Sequence, residues 1–221
     1  MLAVLQSLEA RWLEFGLLAF TSLFTMINPL GIIPVYTTLT TNLSGKQAHR
    51  VALKAVLTAL IILVLFALTG KFIFDFFSIS VNSLKIVGGV IFFMTGYDML
   101  QARLSRTKDD GESHADYASD IAITPLAIPI TCGPGAITMV IILMKESVQI
   151  EQKILLFSAI FAVLLVTYLL LLSARRVIQF LGESGNKVML RIMGLIVMVI
   201  SVEFFFAGLK PILRDILMIH P

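Results

Sequence analysis

The chain has 221 residues, of which 58% are hydrophobic and 14% are charged, with a net charge of +3 and a mean hydropathy of +0.96. Soluble domains average roughly 45–50% apolar and about 25% charged residues, so this composition indicates a polytopic membrane protein. The small net charge and the lack of a long basic run argue against a nucleic-acid partner.

Six apolar runs are long enough to cross a membrane, because about 20 residues span a hydrocarbon core of about 30 Å. The N-terminal stretch lacks a basic region ahead of a short apolar core, so no cleaved signal peptide is expected. We predict helices near 15–41, 52–76, 84–103, 121–144, 154–174 and 191–209.

Two of these runs, the first and the fourth, contain helix-breaking motifs. Thr25 to Pro34 includes Asn28-Pro29-Leu30-Gly31, and Ile130 to Thr138 includes Gly133-Pro134-Gly135. Proline removes an N–H and clashes with the carbonyl four residues earlier, which breaks a helix. We therefore predict that helices 1 and 4 are discontinuous, with backbone groups that must be buried in protein or line a polar cavity. The alternative is that both motifs only kink packed helices.

The polar stretch between the third and fourth runs divides the chain. We predict a first three-helix repeat over 1–104, a polar linker over 105–120 and a second repeat over 121–221. Asn28-Pro29 matches Gly133-Pro134 at a shift of 105 residues, and Lys85-Ile86 matches Arg191-Ile192 at a shift of 106. Because three is odd, the second repeat enters the membrane from the opposite side. The predicted fold is thus all-α, with two inverted repeats whose interrupted helices meet near the midplane.

Freed N–H groups and half-helix N-termini suit an anionic group, and freed carbonyls suit an ammonium, so a small zwitterionic substrate fits such a site. Asn28 and the neighbouring hydroxyls of Thr25 and Thr131 could contact it, although an interhelical hydrogen bond is an alternative for Asn28. The predicted substrate-binding residues are Thr25, Asn28, Pro29, Gly31, Thr131, Gly133, Pro134, Gly135 and Thr138.

Glu203 and Asp98 are the acids that lie well inside apolar runs. A buried charge in a membrane is expensive, so both are candidates for coupling to H⁺ or Na⁺. Asp98 has the alternative of lying at the interface. The sequence has no phosphate-binding loop and no Cys/His cluster with metal-ligand spacing, so we expect neither an enzyme, a cofactor nor a metal site.

Several motifs, in order and spacing over nearly the whole chain, resemble the MarC family of integral membrane proteins. They are Asn28-Pro29-Leu30-Gly31, Phe77-Ser78-Ile79-Ser80, Lys85 to Gly89, Pro125 to Pro129 and Gly133 to Thr138. The family includes a transporter of small neutral amino acids. The resemblance therefore implies six helices and the transport of substrates such as glycine and alanine.

We expect a secondary transporter in a prokaryotic cytoplasmic membrane, in contact with lipid. The alternatives are a passive channel or facilitator and a non-transporting scaffold. Ten lysines and arginines fall on one predicted side and seven on the other. By the positive-inside rule, both termini face outward. The sequence leaves the oligomeric state open.

Overall fold

The computed structural model describes residues 2–101 and 114–217, and every regular element in these ranges is helical. The prediction of an all-α fold is therefore confirmed for these residues. The elements are α1 (Leu2–Ile27), α2 (Pro29–Leu39), α3 (Gly45–Phe76), α4 (Val81–Leu100), α5 (His114–Ile121), a π-helical segment (Ala122–Thr131), α6 (Pro134–Glu146) and α7 (Ile150–Ile216).

Helix α7 is interrupted at Gly182, where φ is 69° and ψ is 176°. This conformation is open to glycine and strained for other residues. It separates two apolar stretches, which we call the amino-terminal arm (Ile150–Ala174) and the carboxy-terminal arm (Ser184–Ile216) of α7.

Within the described residues, five helices are long and apolar enough to cross a membrane, and a sixth span results if two bent helices count as one. The five are Trp12–Leu39, Gly45–Phe76, Val81–Leu100, Ile150–Ala174 and Ser184–Ile216, and the bent pair is Tyr117–Thr131 with Pro134–Glu146. Each of them overlaps one of the six predicted runs. The carboxy-terminal arm extends past the predicted boundaries at both ends.

Local capping explains where two of the spans begin. Ser44 and Gln47 form a reciprocal capping box at the start of α3. At the start of α4, the Ser80 hydroxyl accepts a hydrogen bond of 2.9 Å from the Ser83 N–H. Such side chains satisfy N–H groups that have no partner within the helix.

Contacts between distant residues show which segments lie together at each end of the molecule. At one end, the Trp12 indole donates a hydrogen bond of 3.1 Å to Gln149, just before α7. At the other end, the Thr37 hydroxyl donates to Asn186 Oδ1 at 3.2 Å and the Tyr117 hydroxyl donates to the Leu39 carbonyl at 3.4 Å. The first end therefore holds Trp12, where the first span begins, and the start of α7. The second end holds the end of α2, the start of α5 and the interruption of α7.

Glycines allow α4 and the carboxy-terminal arm of α7 to pack closely and antiparallel. A methyl group added to Gly96 would lie 2.8 Å from the Gly194 carbonyl oxygen, and one on Gly194 would lie 2.7 Å from the Gly96 carbonyl oxygen. A methyl group on Gly89 would lie 2.8 Å from the Ser201 carbonyl oxygen. Side chains larger than hydrogen do not fit at these positions.

The predicted linker, 105–120, lies largely outside the described residues. Its last part, from His114, is helical and belongs to α5, which continues into the π-helical segment.

Candidate functional site

The first motif lies where α1 ends at Ile27 and α2 begins at Pro29. Asn28 stands between them in the left-handed conformation, with φ 48° and ψ 64°. Asparagine adopts this conformation more readily than most residues because its short polar side chain can bond locally. Here its Oδ1 accepts a hydrogen bond of 3.3 Å from the Gly31 N–H, which caps α2. Asn28 therefore ends one helix and begins the next.

Gly31 makes this turn possible because it faces the Asn28 side chain. A methyl group at Gly31 would lie 2.5 Å from Asn28 Nδ2 and 3.0 Å from its Cγ. The chain thus uses asparagine and glycine together, and Pro29 supplies the first residue of α2 without an N–H that needs a partner.

The second motif contains a more irregular backbone. Within the π-helical segment, Thr124 and Ile128 have extended φ/ψ values, and each precedes a cis peptide bond to proline. Gly133 precedes α6 without a side-chain cap, and Pro134 is the first residue of that helix. The axes on the two sides of the break differ by 56°, which fits either a broken span or a re-entrant loop.

The structure brings the two motifs together around Phe92 of α4. A methyl group on Gly135 would lie 3.2 Å both from Met26 Sδ, in the first motif, and from the Phe92 ring. Gly133 also faces the Phe92 ring, too closely for any side chain. The end of α1 and the beginning of α6 are therefore neighbours, although more than 100 residues separate them in the chain.

A small cavity lies beside the first motif. The volume open to the centre of a water molecule is about 40 Å³, enough for about three waters. Its lining comprises Thr25, Met26, Ile27, Asn28, Gly31, Ile32, Phe92, Thr95, Met99, Ile130, Val197 and Ile200. Thr25, Asn28 and Gly31 belong to the predicted binding residues, and Ile130 begins the second motif.

The other predicted binding residues lie around the cavity and not on its wall. Pro29 is buried in the first turn of α2. Thr131 is buried, and its hydroxyl donates a hydrogen bond of 2.7 Å to the Leu126 carbonyl. Pro134 packs against Gly88, where an added methyl group would lie 2.6 Å from its Cβ. Of the second motif, Ile130 lines the cavity and Gly135 faces Met26 of the first motif.

Thr138 differs from the other buried threonines. Its side chain is 1% exposed, and its Oγ1 is the one buried side-chain N or O atom of the described residues without a hydrogen-bond partner. A buried hydroxyl without a partner costs free energy, so a missing partner such as water or a ligand group is the simplest account. Thr138 lies one turn into α6, after Pro134.

Sequence reasoning missed the wall of the cavity that α4 and α7 supply. Phe92, Thr95 and Met99 come from α4, and Val197 and Ile200 come from the carboxy-terminal arm of α7. Thr95 carried a detectable signal, since it is a polar residue within an apolar run. The apolar members carried none, because their spacing is that of any packed helix.

Glu203 and Asp98, the two candidates for ion coupling, are both exposed on the surface of the helices. Neither has an ion pair or hydrogen bond to another described residue. Glu203 lies three residues, about one turn, beyond the cavity residue Ile200, so the two occupy neighbouring positions on one helix.

These features are those of an all-helical integral membrane protein with a small cavity between interrupted segments. The sequence pattern of MarC family integral membrane proteins matches residues 13–213. The chain belongs to the MarC family.

Two related proteins are named as UPF0056 membrane proteins, a name that states no activity. A UPF0056 membrane protein of Methanocaldococcus jannaschii is 40% identical over 199 residues, covering 90% of this chain and 97% of the relative. A UPF0056 membrane protein of Aquifex aeolicus is 34% identical over 211 residues, covering 92% and 98%. No solved structure gives a significant match.

Proposed function

We propose that the protein is a secondary transporter of small neutral amino acids, such as glycine and alanine. Substrate would bind between the two interrupted segments, in the cavity beside Asn28. The observation that carries the proposal is this cavity, at which a left-handed Asn28, a neighbouring glycine and a half-helix N-terminus come together.

The chemistry of the cavity favours a small zwitterion. The N-termini of α2 and α6 carry a partial positive charge, which attracts a carboxylate. The carbonyl of Thr25 lies opposite Pro29, which has no N–H to bond it, and is available to an ammonium group. A cavity that holds about three water molecules leaves little room for a substrate with a large side chain.

We propose further that the chain consists of two inverted three-helix repeats. Three features support this arrangement. Each interruption precedes a helix that starts with proline, at Pro29 and at Pro134. The two motifs are neighbours, and the last helices of the proposed halves pack antiparallel through Gly96 and Gly194. The broken spans would then form the moving gates on either side of the substrate.

The orientation that we propose places both termini outside the cytoplasmic membrane. The ten lysines and arginines of the opposite side then face the cytoplasm, as the positive-inside rule requires. Modification of a terminal tag by a membrane-impermeant reagent in intact cells tests this orientation, and a tag that reacts only after lysis contradicts it.

Glu203 remains our candidate for binding a coupling H⁺ or Na⁺, with Asp98 as the second choice. Its support is its place one turn from Ile200 of the cavity wall, within an apolar stretch. Glu203→Gln should alter the pH or sodium dependence of uptake. Identical ion dependence in the variant would remove Glu203 from the mechanism.

The test of the function is uptake of radiolabelled glycine and alanine into proteoliposomes of the purified protein. A proton gradient, a sodium gradient and no gradient are compared. Accumulation under one gradient supports coupled transport and identifies the ion. Equilibration without accumulation indicates a facilitator instead. No uptake by folded protein rejects the amino-acid substrate.

A further inference from the structure

A second cleft opens at the end of the molecule where α3 and α6 end and α7 begins. The volume of this cleft that is open to the centre of a water molecule is about 510 Å³. Lys71, Lys145 and Lys153 line it, one from each of these helices. Three cations from three different helices therefore converge on one concavity.

These three ammonium groups are not neutralised within the part of the chain that the structure describes. No aspartate or glutamate lines the cleft. Lys71, Lys145 and Lys153 form no ion pair or hydrogen bond to any described side chain. Glu146 and Glu151 are near in sequence but do not belong to the wall. An anion in the cleft would face three positive charges and no negative one.

The walls of the cleft suit a lipid better than a free anion. Leu68, Ile150 and Ile154 line it and are 65%, 64% and 58% exposed. In a bilayer, such exposed aliphatic side chains contact acyl chains. Lys145 is one residue from the end of α6 and Lys153 three residues after the start of α7, the level at which headgroup phosphates lie.

We propose that this cleft is a binding site for an anionic phospholipid. The phosphate would lie between Lys71, Lys145 and Lys153, and the acyl chains would cover Leu68, Ile150 and Ile154. Basic pockets between transmembrane helices bind anionic headgroups by this combination of charge and apolar contact. The site is separate from the cavity at Asn28, and its existence does not depend on the transported substrate.

The experiment is native mass spectrometry of the purified full-length protein in detergent. It is titrated with dioleoylphosphatidylglycerol and, separately, with dioleoylphosphatidylcholine. We expect tighter binding of phosphatidylglycerol, with each lysine contributing about fivefold. The variant Lys71→Gln/Lys145→Gln/Lys153→Gln should lose the preference, and the corresponding Lys→Arg variant should keep it.

The matched control is Lys85→Gln/Lys210→Gln/Arg214→Gln, which removes the same charge at the same end of the molecule but outside the cleft. It should bind phosphatidylglycerol as the unmodified protein does. The three single Lys→Gln variants are measured as well, so the assignment remains testable if the triple variant does not fold.

Three results would overturn the proposal. The first is equal binding of both lipids by the unmodified protein. The second is an equal loss of phosphatidylglycerol affinity in the cleft and control variants, which would indicate general surface charge. Displacement of phosphatidylglycerol by millimolar inorganic phosphate would indicate a site for free anions.

Discussion

Asn28 combines two roles, one of its backbone and one of its side chain. Its backbone is left-handed, and its side chain caps α2 through Gly31. Asn28→Ala should cost about 1 kcal/mol for the lost cap and about 1 kcal/mol for alanine in the left-handed region. We expect a lower midpoint of thermal unfolding in detergent, together with a loss of substrate uptake.

Asn28→Gly is the control, because glycine accepts the left-handed backbone and costs only a few tenths of a kcal/mol as a cap. Its midpoint of thermal unfolding should be close to that of the unmodified protein. Its KM for glycine should nevertheless rise on the order of tenfold, the effect expected for the loss of one hydrogen bond to a charged partner. An unchanged KM in Asn28→Gly would show that the amide does not contact substrate.

Thr138 offers a test that separates fold from function. Because its hydroxyl has no protein partner, Thr138→Val should leave stability unchanged or raise it by up to about 1 kcal/mol. If the hydroxyl bonds a ligand or an ordered water in the transport cycle, apparent substrate affinity should fall about fivefold. Thermal unfolding and uptake are measured on the same preparation.

Thr167→Val is the matched control for Thr138→Val. Thr167 is also buried, but its hydroxyl donates a hydrogen bond of 2.8 Å to the Val163 carbonyl of its own helix. Its substitution should not affect uptake. Equal effects of the two variants on uptake would contradict a specific role for Thr138.

At the scale of residues, sequence could identify the turn but not the full wall of the cavity. Asn28 and Gly31 were recognisable because they flank Pro29 in an apolar run, where proline and glycine indicate an interrupted helix. Phe92 and Ile200 were not, since an apolar residue in an apolar helix carries no information about which neighbour it faces.

The pair formed by α4 and the carboxy-terminal arm of α7 depends on backbone contact. Gly194→Ala would place a methyl group 2.7 Å from the Gly96 carbonyl oxygen, so the helices must separate. We expect a loss of about 1–3 kcal/mol in stability, the usual cost of overpacking. Thermal unfolding in detergent measures it.

Gly16→Ala supplies the comparison within α1. The nearest atom to an added methyl group there is Leu155 Cδ2 at 3.5 Å, an ordinary contact. Alanine is also favoured over glycine in a helix by up to about 1 kcal/mol, so stability should be unchanged or higher. A destabilisation equal to that of Gly194→Ala would mean that helix separation is not the cause.

At the scale of elements, hydropathy predicted the existence of the spans more accurately than their ends. Runs of apolar residues located the five candidate spans and the bent pair of the described residues, because a bilayer requires a minimum length. The extension of the last span to Ile216 passes through Pro211, at which a sequence argument expects a helix to end. The π-helical backbone around Thr124 and Ile128 had no signal beyond its prolines.

One end of the molecule is held together by a contact that we call the clasp, formed by Thr37 and Thr38 of α2 and by Asn186. Thr37 donates to Asn186 Oδ1 at 3.2 Å, and Asn186 Nδ2 donates to the Thr38 hydroxyl at 3.3 Å. Thr37 and Thr38 follow the cavity residue Ile32 by less than two turns. The clasp therefore lies between the cavity and the end of α2.

Breaking the clasp should open the cavity toward that end. In a Cys132→Ser background, Thr95→Cys places a thiol on the cavity wall. Asn186→Ala should raise its modification by a water-soluble thiol reagent by about fivefold to about thirtyfold, as for one or two hydrogen bonds of about 1 kcal/mol. The rate of labelling in proteoliposomes is the measurement.

Asn42→Ala is the control for the clasp, since Asn42 is an exposed amide between α2 and α3 at the same end of the molecule. It should leave the labelling rate unchanged. If Asn186→Ala also leaves the rate unchanged, the clasp does not limit access to the cavity.

At the scale of the whole molecule, the matched spacing of the two motifs predicted that they lie close to each other. It could not predict the clasp, because Thr37 and Asn186 are 149 residues apart and neither lies in a motif. Interhelical hydrogen bonds depend on the relative rotation of helices, which packing decides.

The hydrogen bond between Trp12 and Gln149 gives the protein a natural optical probe. Trp12 is the single tryptophan of the chain, and its indole joins the middle of α1 to the turn between α6 and α7. Its emission therefore comes from one known junction, without any label or substitution. A change in the spacing of these segments on addition of a ligand would shift the wavelength or lifetime of that fluorescence.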